Sequence, residues 1–356
     1  MTALPLTVYG VNQSFFTRKV TGYLDYKRLP WHLRRGLGMA ADVRAGGWEG
    51  GLPALIDADG RVFWDSTSVI LHLEHHHRDR AVLPDDPVHR FLVHVLEDFN
   101  DEWFYRLAVG SRWLYEENTA YGSWDLAREG AHEAPVPVGT VREMVTGAMT
   151  ASLARLGATP ESIGPMVEES LKPWLAAMSA HVGEHGYLFG ARPSLADFAF
   201  YGGNAAHFVN DPLCWGWVEE VGPQVAHHTF RLTDPGGEDF GDWLPTGEVP
   251  ATLLALVREA GRHYLPWVAA ATVDGRATVG FEGGAGVEIA ATDFLTEARG
   301  VMLARYVEAR SPELDEVLGA AGILPFYADH IDQATTVPDP KPIPRPADNR
   351  PYPAGP

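Results

Sequence analysis

Apolar and polar positions alternate along LPLTVY at residues 4–9, which predicts that the chain opens on a strand. A polar loop follows over 10–14. From Phe15 the spacing turns helical, with Phe16, Val20, Tyr23, Leu24 and Lys27 near one another and Gly22 weakening the run. Pro30 ends this helix, and residues 31–34 read as a second strand. The segment 36–50 is glycine-rich, with one weak helical turn near 39–43. Next comes GLPALIDADGRVFWDSTSVILHLE, residues 51–74. It reads as a strand at 54–57, a tight Asp59-Gly60 turn, a strand at 61–64 and a helix opening at Ser66. Pro53 precedes the first of these strands, where its missing N–H costs no ladder bond. Asp65 and Ser66 place a carboxylate and a hydroxyl beside the unpaired N–H groups of a helix start.

The pattern changes after residue 83. Leu83-Pro84-Asp85-Asp86-Pro87 reads as a linker, and from Val88 the chain is helical. Phe91, Val95, Phe99, Trp103 and Leu107 recur at i,i+4 and form a core-facing stripe; Asp98 and Asp101 on the same helix read as a solvated face. Pro135, Pro137 and Gly139 break the pattern. Helical spacing resumes over 141–156 and 161–182, the second run interrupted by Pro165 and Pro173. Ser194 and Asp197 form a Ser-x-x-Asp capping box ahead of an apolar helix. Further helices are predicted through 210–212, 221–232, 250–264, 293–309 and from Ser311, with a hairpin of 276–282 and 287–291 around a glycine-rich turn. From Thr336 the prolines exclude helix and sheet and predict an extended strap.

Composition narrows the chemistry. A formal net charge of −19 argues against nucleic acid or anionic membrane as partner. The single cysteine, Cys214, excludes an internal disulfide framework; in its Leu-Cys-Trp setting it reads as a small buried apolar residue. No apolar run approaches the ~20 residues of a membrane span. The first residues lack a basic region followed by an apolar one. A cytoplasmic protein is the expectation. His72 and His76 share a helical face, but no carboxylate or cysteine completes a ligand set, so no metal is expected.

The stretch 51–74 closely resembles the second half of the thioredoxin-like domain of glutathione S-transferases, which carries a Leu/Val-Pro pair with cis-proline and a Glu/Asp-Ser pair at the next helix start. The motif Tyr187–Phe198 resembles the capping motif of that family's all-helical domain. The resemblance implies a thioredoxin-like α/β domain at 1–83 followed by an all-α transferase domain at 84–245. A helical extension at 246–333 and a proline-rich tail at 334–356 depart from the family. It also implies glutathione as co-substrate, a hydrophobic electrophilic small molecule as second substrate, detoxification as the setting and a homodimer as the family habit.

By that resemblance the Leu52 backbone, beside Pro53, pairs with the cysteinyl part of the thiol. Asp65 and Ser66 hold its γ-glutamyl end, and Arg44 and Trp48 line the same region. Ser14 occupies the catalytic position between the first strand and helix, with Tyr9 and Asn12 as rival donors. Phe15 stands where the family commonly has proline. The alternative is a protein of this fold that binds a ligand or partner without turnover.

Overall fold

The computed structural model describes residues 5–35, 51–57, 59–132, 136–235 and 239–338. Strand β1 (Leu6–Tyr9), helix α1 (Phe15–Lys27), strand β2 (Trp31–Arg34), strands β3 (Ala54–Ile56) and β4 (Val62–Trp64), and helix α2 (Ser66–His76) succeed one another. The sheet order is β2-β1-β3-β4, with β1 parallel to β2 and the other pairs antiparallel. This is a thioredoxin-like α/β arrangement, and the chain beyond it is mostly helical. The inner strands are buried on both faces: Leu6, Val8, Leu55 and Phe63 enter the core that Val20, Tyr23 and Leu24 of α1 also enter, and Thr7, Tyr9 and Ile56, which alternate with them, are buried as well.

Gly22 does more than weaken α1. A Cβ built on it would collide with the Tyr201 ring, so its absence lets α1 lie close against helix α8 (Leu195–Gly203). Helix α3 (Pro87–Phe99) also packs on α8 and continues through a π-helical turn (Asn100–Phe104) into α4 (Tyr105–Leu114). Asp86 caps α3, accepting from the N–H groups of Val88 at 2.8 Å and His89 at 3.0 Å, with Pro87 in the first turn. Helices α5 (Glu116–Gly130) and α6 (Val138–Ser152) form a hairpin beyond α4, with a small core of their own around Trp113, Ala127 and Val141. Pro173 does not break the next helix, α7 (Lys172–His185), because it falls in the first turn, where no N–H is missed.

The capping box is present at α8. Ser194 Oγ accepts from Asp197 N–H, and the Asp197 carboxylate accepts from Ser194 N–H at 2.8 Å. The carboxylate also takes Leu188 N–H at 3.0 Å and His228 Nε2 at 2.8 Å, all fully or nearly fully buried. Helices α9 (Pro212–Val221) and α10 (Pro223–Thr233) complete that layer.

The helix predicted over 250–264 is α11 (Ala251–Arg262), and a further helix that the pattern did not predict, α12 (Tyr264–Asp274), follows it. The hairpin is β5 (Arg276–Phe281) and β6 (Gly284–Ala290), with a turn shorter than the glycine run suggested. The Glu169 carboxylate fixes it by accepting from Glu282 N–H at 2.9 Å and Gly283 N–H at 2.7 Å. Helices α13 (Asp293–Ala309) and α14 (Pro312–Ala320) follow, and α11 and α13 both pack on α3.

Asp197→Ala strips the Ser194 N–H, the Leu188 N–H and the His228 ring of their shared buried acceptor. Urea denaturation is expected to show a loss of roughly 2–4 kcal/mol, above the ~1 kcal/mol of an ordinary cap.

Candidate thiol-binding cleft

The loop between β1 and α1 is held from outside. Glu129 of α5 accepts from the Asn12 backbone N–H and, at 2.7 Å, from its Nδ2. Gln13 Nε2 donates to Asp125 of the same helix, and Gln13 Oε1 accepts from Asn210 Nδ2 at 3.2 Å. Arg112 donates from Nη1 to the Gln13 carbonyl at 3.2 Å, while its Nε and Nη2 grip Asp211 at 2.9 and 2.8 Å. Gly10 leaves room for this path, since a Cβ there would lie 2.6 Å from Thr17 Cγ2.

The loop delivers Ser14 as the N-cap of α1, in extended conformation, its Oγ accepting from Thr17 N–H at 3.3 Å. Ser14 is half-buried. The other two candidate donors are differently placed. Tyr9 is 1% exposed, and its hydroxyl accepts from Arg34 Nη1 at 3.0 Å. Asn12 is engaged with Glu129.

The second rim is Leu52 to Ser66. The Leu52–Pro53 peptide is cis. Among the described residues the Leu52 backbone N–H and carbonyl make no hydrogen bond. Asp65 adopts φ of 68°, a left-handed conformation uncommon outside glycine, Asn and Asp, and caps α2 by accepting from Ser68 N–H at 2.7 Å. Burial pushes the Asp65 carboxyl up, against the Ser68 N–H and the Lys19 charge. Ser66 is buried. Arg44 and Trp48 lie outside the described residues.

The end of α3 and its π turn meet α1 through Lys19, and here the solvated face expected for Asp98 and Asp101 gives way to half-buried, partnered carboxylates. Lys19 of α1, with no exposed side-chain surface, donates to Glu97 Oε1 at 2.6 Å and Asp101 Oδ2 at 2.5 Å. It also reaches Thr67 Oγ1 of α2 at 3.0 Å. Burial alone would lower the Lys19 ammonium, but Asp101 and Glu97 outweigh it and hold it above the ordinary lysine range. Burial pushes Asp101 up in spite of Lys19. Burial also raises Asp98 to about 7, against the Tyr264 hydroxyl that donates to it at 2.5 Å. Glu102 rises to about 8 through burial and the neighbouring Asp98, with Arg106 opposing.

Lys19, Thr67, Glu97 and Glu102 were not singled out by sequence reasoning. A signal existed: four acids fall within six residues, Glu97 to Glu102, inside an otherwise apolar helix, and i,i+4 spacing puts Glu97 with Asp101 and Asp98 with Glu102. His72 stacks on Phe63 at 4.0 Å between ring centroids, while His75, His76 and His77 are exposed. Among the described residues no group of three or more His, Cys, Asp or Glu is placed to hold a metal ion. Nor is any helix among them long and apolar enough to cross a membrane.

The chain thus presents a thioredoxin-like sheet whose first helix starts at a serine, with a cis-proline before β3 and an Asp-Ser start to α2. Residues 8–81 match the family model described as glutathione S-transferase, N-terminal domain. That match makes residues 8–81 a domain of the glutathione S-transferase N-terminal type. Solved structures similar to it include a glutathione S-transferase from Methylobacterium radiotolerans in complex with glutathione sulfonate. That pair shares 16% identity over 67% of this chain and 99% of the other, with a TM-score of 0.41. A glutathione S-transferase from Rhodospirillum rubrum shares 18% identity over 70% and 97%, with a TM-score of 0.39. A maleylacetoacetate isomerase from Anaeromyxobacter dehalogenans with bound glutathione shares 18% over 71% and 94%, with a TM-score of 0.33. No curated protein matches the chain.

Lys19→Met leaves Glu97 and Asp101 without their shared cation and is expected to cost about 3–5 kcal/mol in denaturant unfolding. Adding Glu97→Gln and Asp101→Asn to that variant is expected to restore most of the loss, which a double-mutant comparison reads directly.

The raised carboxyls set a second expectation. Because Asp98 and Glu102 titrate at about 7 and about 8 in the fold, the native state keeps protons that the unfolded chain releases above about pH 4. Their stabilisation is complete at low pH and is lost as pH rises through those values. Thermal melts are expected to show Tm falling by roughly a few degrees from about pH 6.5 to about pH 8.5, with a smaller fall in Asp98→Asn.

Proposed function

We propose that the protein is a glutathione transferase-like enzyme that activates a low-molecular-weight thiol, glutathione above all, for attack on a hydrophobic electrophile. The observation that carries this reading is the tie between α1 and α2, whose starts are Ser14 and Asp65, through the 3.0 Å bond from Lys19 to Thr67. Ser14 caps α1, Asp65 and Ser66 open α2, and the cis Leu52–Pro53 peptide lies before β3 on the same rim. A peptide thiol presents an ammonium, carboxylates and a sulfur, and these elements offer an acceptor, N–H donors and a hydroxyl to match.

The energetics are sufficient. A free thiol titrates near ~8.5, and lowering it by about two units requires roughly 2.7 kcal/mol in favour of the thiolate. A hydrogen bond to a charged group supplies ~1.5–3 kcal/mol and a helix N-terminus ~0.3–1 kcal/mol. The Ser14 hydroxyl at the head of α1 can supply both. Tyr9 and Asn12 are the weaker candidates, because Arg34 and Glu129 already engage them. Leu52 and Pro53 would meet the cysteinyl backbone, and Asp65 and Ser66 the γ-glutamyl end, with Arg44 and Trp48 completing the rim. We further assign residues 1–83 to the thiol-binding domain, 84–245 to the helical domain, 246–333 to the extension and 334–356 to the tail.

A second reading, ligand or partner binding without turnover, is favoured by the grip of Asp125 and Glu129 on Gln13 and Asn12, which ties down the loop ahead of Ser14. Turnover separates the two. With glutathione and an aryl halide, Ser14→Ala is expected to lower kcat/KM about tenfold to a hundredfold while glutathione affinity in calorimetry changes little. Retention on immobilised glutathione without any wild-type turnover would establish the binding protein instead.

A further inference from the structure

We propose that the extension carries a binding site for a small organic monocarboxylate, in a groove between α12, α13 and the segment that follows α14. None of its residues lies on the rims assigned to the thiol, so the two sites stand or fall separately. The first sign is a position in the sequence. Leu295, Met302, Leu303 and Tyr306 of α13 are buried at helical spacing, and at 299 the same buried face carries an arginine. Arg299 is only 3% exposed.

A guanidinium brings five N–H groups and, unlike a buried lysine, cannot shed its proton to escape burial. Arg299 has too few acceptors. Its Nη2 donates to the Phe326 carbonyl, and nothing among the described residues accepts from Nε or Nη1. The guanidinium lies 5.1 Å from the centre of the Tyr327 ring, in the short helix Pro325–Ala328. The Tyr327 hydroxyl, fully buried, is also without a partner. Asp98 acts on Arg299 electrostatically but makes no hydrogen bond to it, and is held by Tyr264 at 2.5 Å. A buried cation left in this state is costly, and a single anion supplies the acceptor that these donors lack.

The space for an anion adjoins. A groove of about 350 Å³ is lined by Thr272 and Val273 at the end of α12, by Thr296, Arg299 and Gly300 of α13, and by the chain at Thr335. Gly300 brings that last wall close. A Cβ on it would lie 2.7 Å from Thr335 Cγ2, and its carbonyl accepts from Thr335 N–H at 3.0 Å. Arg299 is the one charged residue among those that line the groove.

The lining selects the ligand. A lone cation balances a carboxylate but not a phosphate dianion. Threonine and valine side chains offer methyl groups to a short apolar body. The volume is at the small end of the ~300–1,000 Å³ that small-molecule pockets span.

The test titrates benzoate into the full chain at fixed ionic strength, by calorimetry and thermal melting, with benzyl alcohol and inorganic phosphate alongside. Benzoate alone is expected to bind, with a Kd of about 1 mM, and to raise Tm with its concentration. Arg299→Gln is expected to weaken it about tenfold to a hundredfold. Thr296→Trp keeps the arginine, changes an exposed residue of the groove and is expected to abolish binding by filling the space. It decides the matter if Arg299→Gln does not fold. Absence of benzoate binding up to about 50 mM overturns the proposal. So does equal binding of benzyl alcohol or phosphate, or unchanged benzoate binding in Thr296→Trp or in a folded Arg299→Gln. Each of these leaves the thiol-binding reading untouched.

Discussion

One buried ammonium ties the cleft together. Lys19 of α1 reaches α2 through Thr67 and α3 through Glu97 and Asp101, so the three helices around the candidate site share a single cation. A fully desolvated lysine survives only with close anionic partners, since burial without them would neutralise it. The position of α1 against α3 is therefore specified by charge as well as by packing. The same constraint places two carboxylates beside one ammonium, and this excess of acid over base spreads along α3 and its π turn to Asp98 and Glu102.

The extension beyond residue 250 meets the other side of α3. Tyr264 donates to Asp98, and Arg305 of α13 donates from Nη1 to His94 Nε2 at 3.0 Å. Burial, with Arg305 and Arg90 adding to it, holds His94 far below its ordinary range, so it remains a neutral acceptor. One stretch of α3 thus faces the sheet-bearing part of the chain with Glu97 and Asp101 and the extension with His94 and Asp98. Changes in how α12 and α13 pack will reach the cleft through a single helix, because a close-packed interior does not absorb displacements locally.

The loop ahead of Ser14 shows a third kind of control. Its backbone and amide groups are taken up by Glu129, Asp125 and Arg112, and Arg112 is itself locked by the fully buried Asp211. These bonds come from α4, from α5 and, through Asn210, from the segment between α8 and α9, all far away in sequence. They hold the helix start in place without using the Ser14 hydroxyl, which among the described residues keeps its capping bond to Thr17.

What the sequence could determine by itself was whatever short-range physics dictates. Alternation around Asp59-Gly60 predicts the β3–β4 pair, Ser194-x-x-Asp197 predicts the start of α8, and Leu52-Pro53 with Asp65-Ser66 marks the rim, because each is encoded within a few residues. The hairpin after α12 was legible as a hairpin but not in its turn, which depends on Glu169 more than a hundred residues upstream. Asp98 and Asp101 read as solvated because a polar residue on an amphipathic helix usually faces water. Only the tertiary structure decided that Lys19 lies across from Asp101 and Tyr264 across from Asp98, turning two apparently exposed carboxylates into half-buried, partnered ones. Gly22 read as a flaw in α1 until Tyr201 occupied the space its side chain lacks. Burial, and with it the upward shift of the Asp98, Asp101 and Glu102 carboxyls, belongs to the assembled fold, because desolvation is set by what comes from elsewhere in the chain.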